Sequence, residues 1–174
     1  MELSYKVTFL DYWHIGSGLS AGARSDSTVL RDEAGLPCLP GKTLKGLARE
    51  AAESICDTAF VEKYFGKEGV DMAQAYFTNA VLPKGESEEI ISRKLQDNLY
   101  TTVASTQIGE NGIAVDDSLR EIEVVIPLVL KGKVLDIESQ EEKVQMLKVL
   151  KMIKRMGLNR NRGLGRCKIE EVTS

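Results

Sequence analysis

The chain has 174 residues, of which 43% are apolar and 28% are charged, and its formal net charge is −3. This length and composition fit one globular domain with a hydrophobic core and exclude disordered and collagen-like classes, while the acidic balance argues against a nucleic-acid partner. No apolar run is long enough for a membrane span or a signal peptide, so we expect a cytoplasmic protein without a membrane partner.

The N-terminal part of the chain predicts a strand, a loop and a helix. Residues Leu3 to Trp13 roughly alternate between apolar and polar positions and are rich in β-branched and aromatic types, which predicts a strand. The polar, glycine-rich segment 14–27 predicts a surface loop, followed by a short strand at Val29–Leu30. Apolar residues at helical spacing predict a helix that begins near Gly41 to Thr43 and ends near Ile55.

The middle of the chain predicts a second helical turn and an excursion. The turn covers Asp57 to Phe65 and ends at Gly66, and residues 75–83 read as a strand that Pro83 stops. The polar stretch 85–98 predicts an excursion with a short helix.

Two β-rich segments then predict a hairpin. They are Leu99 to Ile108 and Ile113 to Lys131, and they flank the turn sequence GENG. Leu119 to Leu130 is the strongest predicted strand of the chain.

The C-terminal part predicts a helix and a strand. Ser139 and Glu142 form a capping box, after which apolar residues at helical spacing run to Met156 and Gly157 supplies the stop. A last strand is predicted near Arg166 to Val172. This order of elements indicates one α+β domain over residues 1–174, with a ferredoxin-like antiparallel sheet and both main helices on one face.

The charge is unevenly distributed along the chain. The segment from Lys148 to Lys168 contains eight of the 23 Lys and Arg residues and none of the 26 Asp and Glu residues, so the remainder carries a net charge of −11. A chain polarised in this way is able to bind a polyanion on one face while its other faces stay acidic. The net charge alone therefore does not exclude a nucleic-acid partner.

Two basic motifs are candidate phosphate sites. Lys42, Lys45 and Arg49 share a face of the first predicted helix, and lysines at a helix N-terminus oppose the macrodipole unless an anion is bound there. The alternative is a solvated basic face. In GLNRNRGLGR, glycines bracket three arginines, where a plain turn would need only the glycines. These arginines are Arg160, Arg162 and Arg166.

Single polar residues give weaker signals. Asp26, in the polar loop, is either a turn residue or a carboxylate that positions Mg²⁺ or a reacting hydroxyl. His14, the only histidine, either contacts a ligand or is hydrogen-bonded to backbone. The cysteines lie far apart without metal-ligand spacing, so we expect reduced structural thiols and no zinc. They are Cys38, Cys56 and Cys167.

Taken in order, these segments resemble the repeat-associated mysterious protein (RAMP) superfamily, specifically the repeated backbone subunit of type III CRISPR effector complexes. The family's most recognisable stretch is similar to DSTVLRDEAGLPCLPGKTLKGLARE, and its opening after the first strand resembles HIGSG. The family's FG turn and the strand that follows it resemble YFG and AYFTNAVLP. Its thumb region resembles GENGIAVDDSLREIEVVIP, and its glycine-rich loop resembles NRGLGR. Five matches in order are far more specific than any one.

The resemblance implies a modified ferredoxin-like, RNA-recognition-like fold that lines up in a filament along a guide RNA. A thumb hairpin at about 99–125, with its wedge at about 101–120, would interrupt the guide–target duplex. The implied partners are guide RNA, target RNA, further copies of the chain and other RAMP subunits of the complex. The residues implied to contact RNA are His14, Lys42, Lys45, Arg49, Arg160, Arg162 and Arg166.

The resemblance also implies a cutting site. In cleaving members an aspartate before a V-x-R-D segment supports metal-dependent cutting of target RNA, and Asp26 stands there in DSTVLRD. It would orient the target 2′-hydroxyl and scissile phosphate or help hold Mg²⁺ or another divalent ion. Asp32 is the nearby alternative, although its turn position favours a structural role. The chain is shorter than typical backbone subunits, so its subtype and its ability to cut RNA stay open.

Two other functions also stay open. One is a metal-independent, guide-processing ribonuclease that works through His14, although no partner base is evident. The other is a non-enzymatic assembly module whose acidic surfaces bind proteins.

Overall fold

A computed structural model describes residues 1–16, 28–67, 73–105, 111 and 120–172. The strands in these ranges are β1 (Leu3–Phe9), β2 (Tyr76–Phe77), β3 (Tyr100–Ser105), β4 (Arg120–Val125), β5 (Val129–Leu135) and β6 (Cys167–Glu171). The α-helices are α1 (Gly41–Ile55), α2 (Thr58–Phe65), α3 (Lys84–Ser92) and α4 (Gln140–Met152).

Four of the strands form an antiparallel sheet in the order β2-β5-β1-β6. In β1 every second residue is buried, because side chains alternate between the two faces of a strand. The buried positions are Leu3, Tyr5, Val7 and Phe9. The intervening Ser4, Lys6 and Thr8 belong to the opposite face. The alternation that predicted this strand therefore also identifies its core face.

The helices α1 and α4 contact each other, and α1 also contacts β2 while α4 contacts β6. In α1 the buried residues are Gly41, Leu44, Ala48 and Ala52, and in α4 they are Met146, Val149 and Leu150. Both sets follow helical spacing. The element order and the strand order are those of a ferredoxin-like fold, as predicted. The hairpin β3–β4 is a separate two-stranded sheet, inserted between β2 and β5.

The predicted helix ends are confirmed where a local cap fixes them. Asp57 Oδ1 accepts the N–H of Phe60 at 2.8 Å at the start of α2, and Gly66, with φ of 82°, follows its end. Ser139 Oγ accepts the N–H of Glu142 at 3.2 Å at the start of α4. The Ser139 cap is the one that the sequence predicts, and the Asp57 cap explains why the predicted turn begins there.

The prediction that α4 extends to Met156 is wrong, because the helix ends at Met152. Ile153 takes an extended conformation, and the chain that follows pairs with the start of β6 through a bridge between Arg155 and Arg166. Ile153 and Met156 are nevertheless buried. These two apolar residues therefore continue the helical spacing in the sequence although the helix ends before them.

The single strand predicted from Leu119 to Leu130 is also wrong. The chain leaves β4 at Val125, and β5 begins at Val129 in the other sheet. Pro127 lies in the gap and has no N–H to donate to a ladder. One apolar run therefore supplies strands to two different sheets.

Three further predicted strands are shorter in the structure. The first strand ends at Phe9 instead of Trp13, and Trp13 pairs with Val125 of the hairpin in an isolated bridge. Val29 makes one bridge, to Gly16, instead of a strand. The predicted strand over 75–83 reduces to β2 and single bridges at the following residues. Of the predicted loop over 14–27, residues 17–27 lie outside the described part of the chain.

The three cysteines all lie in the described ranges as free thiols. Burial raises the pKa of Cys167 to about 11 and also raises the pKa of Cys38. A raised thiol pKa leaves little thiolate at neutral pH, so these two residues act as small core side chains. No helix among the described residues is long and apolar enough to cross a membrane.

A close backbone approach at the start of α1 gives a testable prediction. A Cβ at Gly41 would overlap the carbonyl oxygen of Phe77, whereas Gly46, on the exposed side of the same helix, has no atom nearby. We expect Gly41→Ala to destabilise the fold by about 1–3 kcal/mol through overpacking. We expect Gly46→Ala, the matched control, to stabilise it by about 0.5–1 kcal/mol through helix propensity. Urea unfolding of both variants measures the difference, and equal stabilities would contradict the prediction.

A second prediction concerns acid stability. Lys63 of α2 donates to Glu142 at 2.6 Å, and hydrogen bonds from Lys63 and then Tyr64 lower the pKa of Glu142 to about 2. Because this pKa is depressed in the fold, the carboxylate contributes stability above its ordinary value of 4.5, which is lost as the pH falls toward about 2. We expect Glu142→Gln to flatten the fall of the melting temperature across that window. Glu141→Gln, in the same helical turn, should leave the fall unchanged.

Candidate nucleic-acid interface

The N-terminus of α1 is an electropositive end, because its N-cap residue, Pro40, has no side chain that accepts a hydrogen bond. The N–H of Gly41 donates to Asn79 Oδ1 at 3.0 Å, and the first turn contains no acidic residue. The N–H groups of Lys42 and Thr43 have no acceptor among the residues that the structure describes. The side chain of Lys42 is exposed. Free N–H groups, the helix dipole and an exposed lysine together favour a bound anion.

Lys45 and Arg49, on the same helix, already have partners within the protein. Lys45 Nζ donates to the carbonyl oxygen of Ala75 at 2.8 Å, and burial lowers its pKa. Arg49 is paired with Glu53 at 2.9 Å and lines a cavity with residues of α2. A phosphate at these two side chains would therefore bind beside an existing partner, and at Arg49 it would share the guanidinium with a carboxylate.

The glycine-rich loop, residues 157–166, is held against the chain that follows β1. The N–H of Leu158 donates to the carbonyl of His14 at 2.9 Å, and the N–H of Gly165 donates to that of Tyr12 at 2.8 Å. A Cβ at Gly157 would overlap the His14 carbonyl oxygen, so this position requires glycine both for space and for its φ of 90°. The loop is thus built on close backbone contacts.

The three loop arginines differ in their contacts. Arg166 is paired with Asp11 at 3.1 Å, and Arg160 lies 4.0 Å from Glu50 of α1. Arg162 is exposed and has no ion pair or side-chain hydrogen bond with another described residue. Arg162 is the loop arginine most available to a ligand.

The structure does not gather the six predicted basic residues into one cluster. Glu50, the residue after Arg49, is the α1 residue that meets Arg160 of the loop. Arg49 itself lines the cavity beside α2. The loop and the Lys45–Arg49 face therefore belong to different flanks of α1, and the shared channel stays a prediction.

His14 is 1% exposed and lies between the loop and the hairpin. Its Nδ1 is 2.6 Å from the carbonyl oxygen of Glu123. A carbonyl only accepts hydrogen bonds, so Nδ1 carries a proton and donates. This is the backbone-bonded arrangement that the sequence left open as one of two roles, and it buries the ring away from any ligand in solution.

Of the two aspartates considered, only Asp32 lies in the described part of the chain, and Asp26 lies outside it. Asp32 Oδ1 accepts the N–H groups of Ala34 and Leu36 at 2.9 and 2.8 Å, which is the turn role expected for it. Among the described residues no group of three or more His, Cys, Asp or Glu side chains is arranged to hold a metal ion. The described residues therefore do not include a set of ligands for the implied divalent ion.

Sequence reasoning missed a polar cluster at the base of the hairpin. Glu123 of β4 accepts from the Arg31 guanidinium at 2.6 Å through Oε1 and from the N–H of Val29 at 3.0 Å through Oε2. Arg31 lies 3.9 Å from the ring centroid of Tyr100 on β3, whose hydroxyl donates to the Gly35 carbonyl at 2.8 Å. The one available signal was an acid within an apolar strand, which does not identify its partner.

The strand order, the inserted hairpin and the cationic glycine-rich loop define a ferredoxin-like α+β protein with a candidate anion-binding edge. A family model of the RAMP superfamily matches residues 6–168, and the chain belongs to this superfamily.

Solved structures agree with this assignment at the level of fold. A chain in the cryo-EM structure of the type III-B Cmr-beta complex bound to cognate target RNA is similar with a TM-score of 0.78. The two are 13% identical, and the match covers 98% of this chain and 97% of that chain. A chain in the cryo-EM structure of the apo state of type III-B Cmr-beta is similar with a TM-score of 0.76. The two are 14% identical, and the match covers 100% of this chain and 98% of that chain. Comparison with curated proteins finds no match.

Proposed function

We propose that the protein is a guide-RNA-binding backbone subunit of a type III CRISPR effector complex in antiviral defence, and that it acts in the cytoplasm. The observation that carries this proposal is the fold match over nearly the full length of both chains, to a chain of a complex bound to target RNA. Membership of the RAMP superfamily supports it. Further copies of the chain and other RAMP subunits would be its protein partners.

The guide RNA would lie along the edge formed by the N-terminus of α1 and the glycine-rich loop. Lys42 and Arg162 are the two predicted contacts with exposed, unpaired side chains among the described residues, so they would bind phosphates without losing a contact. Lys45, Arg49, Arg160 and Arg166 would contribute as cations whose charge is shared between a protein partner and a phosphate. His14 would act through the loop that its carbonyl holds.

The hairpin would separate the guide–target duplex. Its described part consists of β3 and β4. Of the predicted wedge at about 101–120, residues 106–110 and 112–119 lie outside the described part of the chain. The strands pair antiparallel from Tyr100 with Val125 to Ser105 with Arg120. The bridge between Trp13 and Val125 attaches the end of the hairpin that lies opposite Ser105, which supports the proposal of a thumb.

Target cutting, where it occurs, would depend on Asp26 and a divalent ion. Gly16 and Val29, which flank residues 17–27, are joined by a bridge, and the N–H of Leu30 donates to the Ile15 carbonyl at 2.8 Å. The two ends of the segment that carries Asp26 therefore meet beside the hairpin base. Mg²⁺ or a similar ion would supply Lewis acidity to the scissile phosphate when it is bound.

A metal-independent ribonuclease that uses His14 is disfavoured by the burial of this side chain. A general base must reach the proton that it removes, and His14 is 1% exposed with Nδ1 bonded to the protein. A purely structural assembly module remains the other outcome of the experiments below.

The first experiment tests RNA binding. We expect Lys42→Gln and Arg162→Gln each to weaken binding of a guide RNA and to reduce the slope of log affinity against log salt by about 0.7, since each removes one phosphate contact to a single strand. Lys84→Gln, on the exposed helix α3, is the matched control and should change neither quantity. Unchanged affinity and slope in both test variants would refute the interface and favour the assembly module.

The second experiment tests cutting. We expect Asp26→Ala to assemble with guide RNA as the native chain does but to abolish Mg²⁺-dependent cutting of a matched target. Asp32→Ala is the comparison variant, and it should reduce stability through the lost turn while the remaining folded complex still cuts. Cutting that persists in a purified Asp26→Ala complex would remove Asp26 from the mechanism.

A further inference from the structure

The base of the hairpin is attached to the rest of the protein through several contacts, among them the 2.6 Å hydrogen bond from His14 Nδ1 to the Glu123 carbonyl and the two attachments that follow. The first attachment is backbone pairing at the end of β4, where Trp13 and Val125 exchange hydrogen bonds of 3.1 and 2.8 Å. The second is the side-chain cluster of Arg31, Glu123 and Tyr100. A two-stranded sheet held at one end only has little to fix its direction.

The cluster attaches both strands through one guanidinium. Arg31 donates to Glu123 on β4 at 2.6 Å and stacks 3.9 Å from the ring centroid of Tyr100 on β3. The Glu123 side chain is 22% exposed, and both of its oxygens accept a hydrogen bond. A charge-assisted hydrogen bond combined with a cation–π contact in such a site is directional and stronger than an exposed ion pair.

Arg31 itself is held by a braced turn. It forms a bridge with Pro37, and the carboxylate of Asp32 accepts two N–H groups within the same turn. The Tyr100 hydroxyl donates to Gly35 of this turn as well. The second attachment therefore connects the hairpin to a segment that has little freedom of its own.

We propose that Arg31 and Glu123 are positioning residues that fix the angle between the β3–β4 hairpin and the central sheet. This inference rests on the proposed function, because the angle then sets where the hairpin interrupts the guide–target duplex. Neither residue needs to contact RNA. Loss of the side-chain pair would leave the Trp13–Val125 pairing and the bond from His14 to the Glu123 carbonyl intact, and it would widen the range of hairpin directions.

The angle is measurable without RNA. Spin labels at Ala104→Cys on β3 and Val144→Cys on α4, in a Cys56→Ser background, report the distance between hairpin and body by pulsed electron paramagnetic resonance. We expect a narrow distribution in the parent chain, a broader one in Arg31→Leu and Glu123→Gln, and recovery toward the parent in Arg31→Lys, which keeps the charge. Glu89→Gln, which removes the Arg93 pair within α3, is the matched control. Parent-like distributions in Arg31→Leu and Glu123→Gln would overturn the proposal.

The consequence for RNA is tested in the assembled complex. Chemical probing at nucleotide resolution should show sharp, regularly spaced unpaired positions with the native chain. With Arg31→Leu the reactivity should spread from these positions to neighbouring nucleotides, while the affinity for guide RNA keeps its native value. A broadened distance distribution with an unchanged probing pattern would overturn the link between hairpin angle and duplex. Absence of any pattern with the native chain would instead refute the proposed function and leave the distance result standing.

Discussion

The hydrogen bonds of the short segment after β1, residues 12–16, hold the candidate interface together. They connect the glycine-rich loop, the hairpin and the chain that follows residue 27. The bonds join Tyr12 to Gly165, Trp13 to Val125, His14 to both Leu158 and Glu123, and Ile15 to Leu30. Three parts that are far apart in sequence therefore have their relative positions set by four consecutive residues, 12–15.

The hydrophobic core fixes this junction in turn. Trp13 is fully buried and its ring stacks on Phe9 of β1, with centroids 4.2 Å apart. The Trp13 indole also donates to the Ile126 carbonyl at 3.2 Å, just where the chain crosses from the hairpin to the central sheet. Because a buried polar group is costly without a partner, the bonds of His14 and Trp13 favour a single arrangement. Core packing thus determines the geometry of a polar edge.

The parts of the fold predicted correctly are those that local chemistry determines. Alternation identified β1, the capping box at Ser139 identified where α4 begins, and Gly66 identified where α2 ends. The errors arose where distant pairing decides the outcome. Arg155 pairs with Arg166 and ends α4 early, and the break at Pro127 divides one apolar run between two sheets. Periodicity alone does not contain these contacts.

The candidate site was also predicted only in part. The sequence shows which residues are charged, but it does not show which partners they have in the fold. Lys42 and Lys45 look equivalent along the helix, yet Lys45 donates to the carbonyl of Ala75 while Lys42 is exposed. Arg162 and Arg166 differ likewise, since Asp11 pairs only with Arg166. A phosphate must compete with such a partner, which lowers the net gain from binding. Lys42 and Arg162 have no such partner among the described residues, so they are the cations at which a polyanion would gain most.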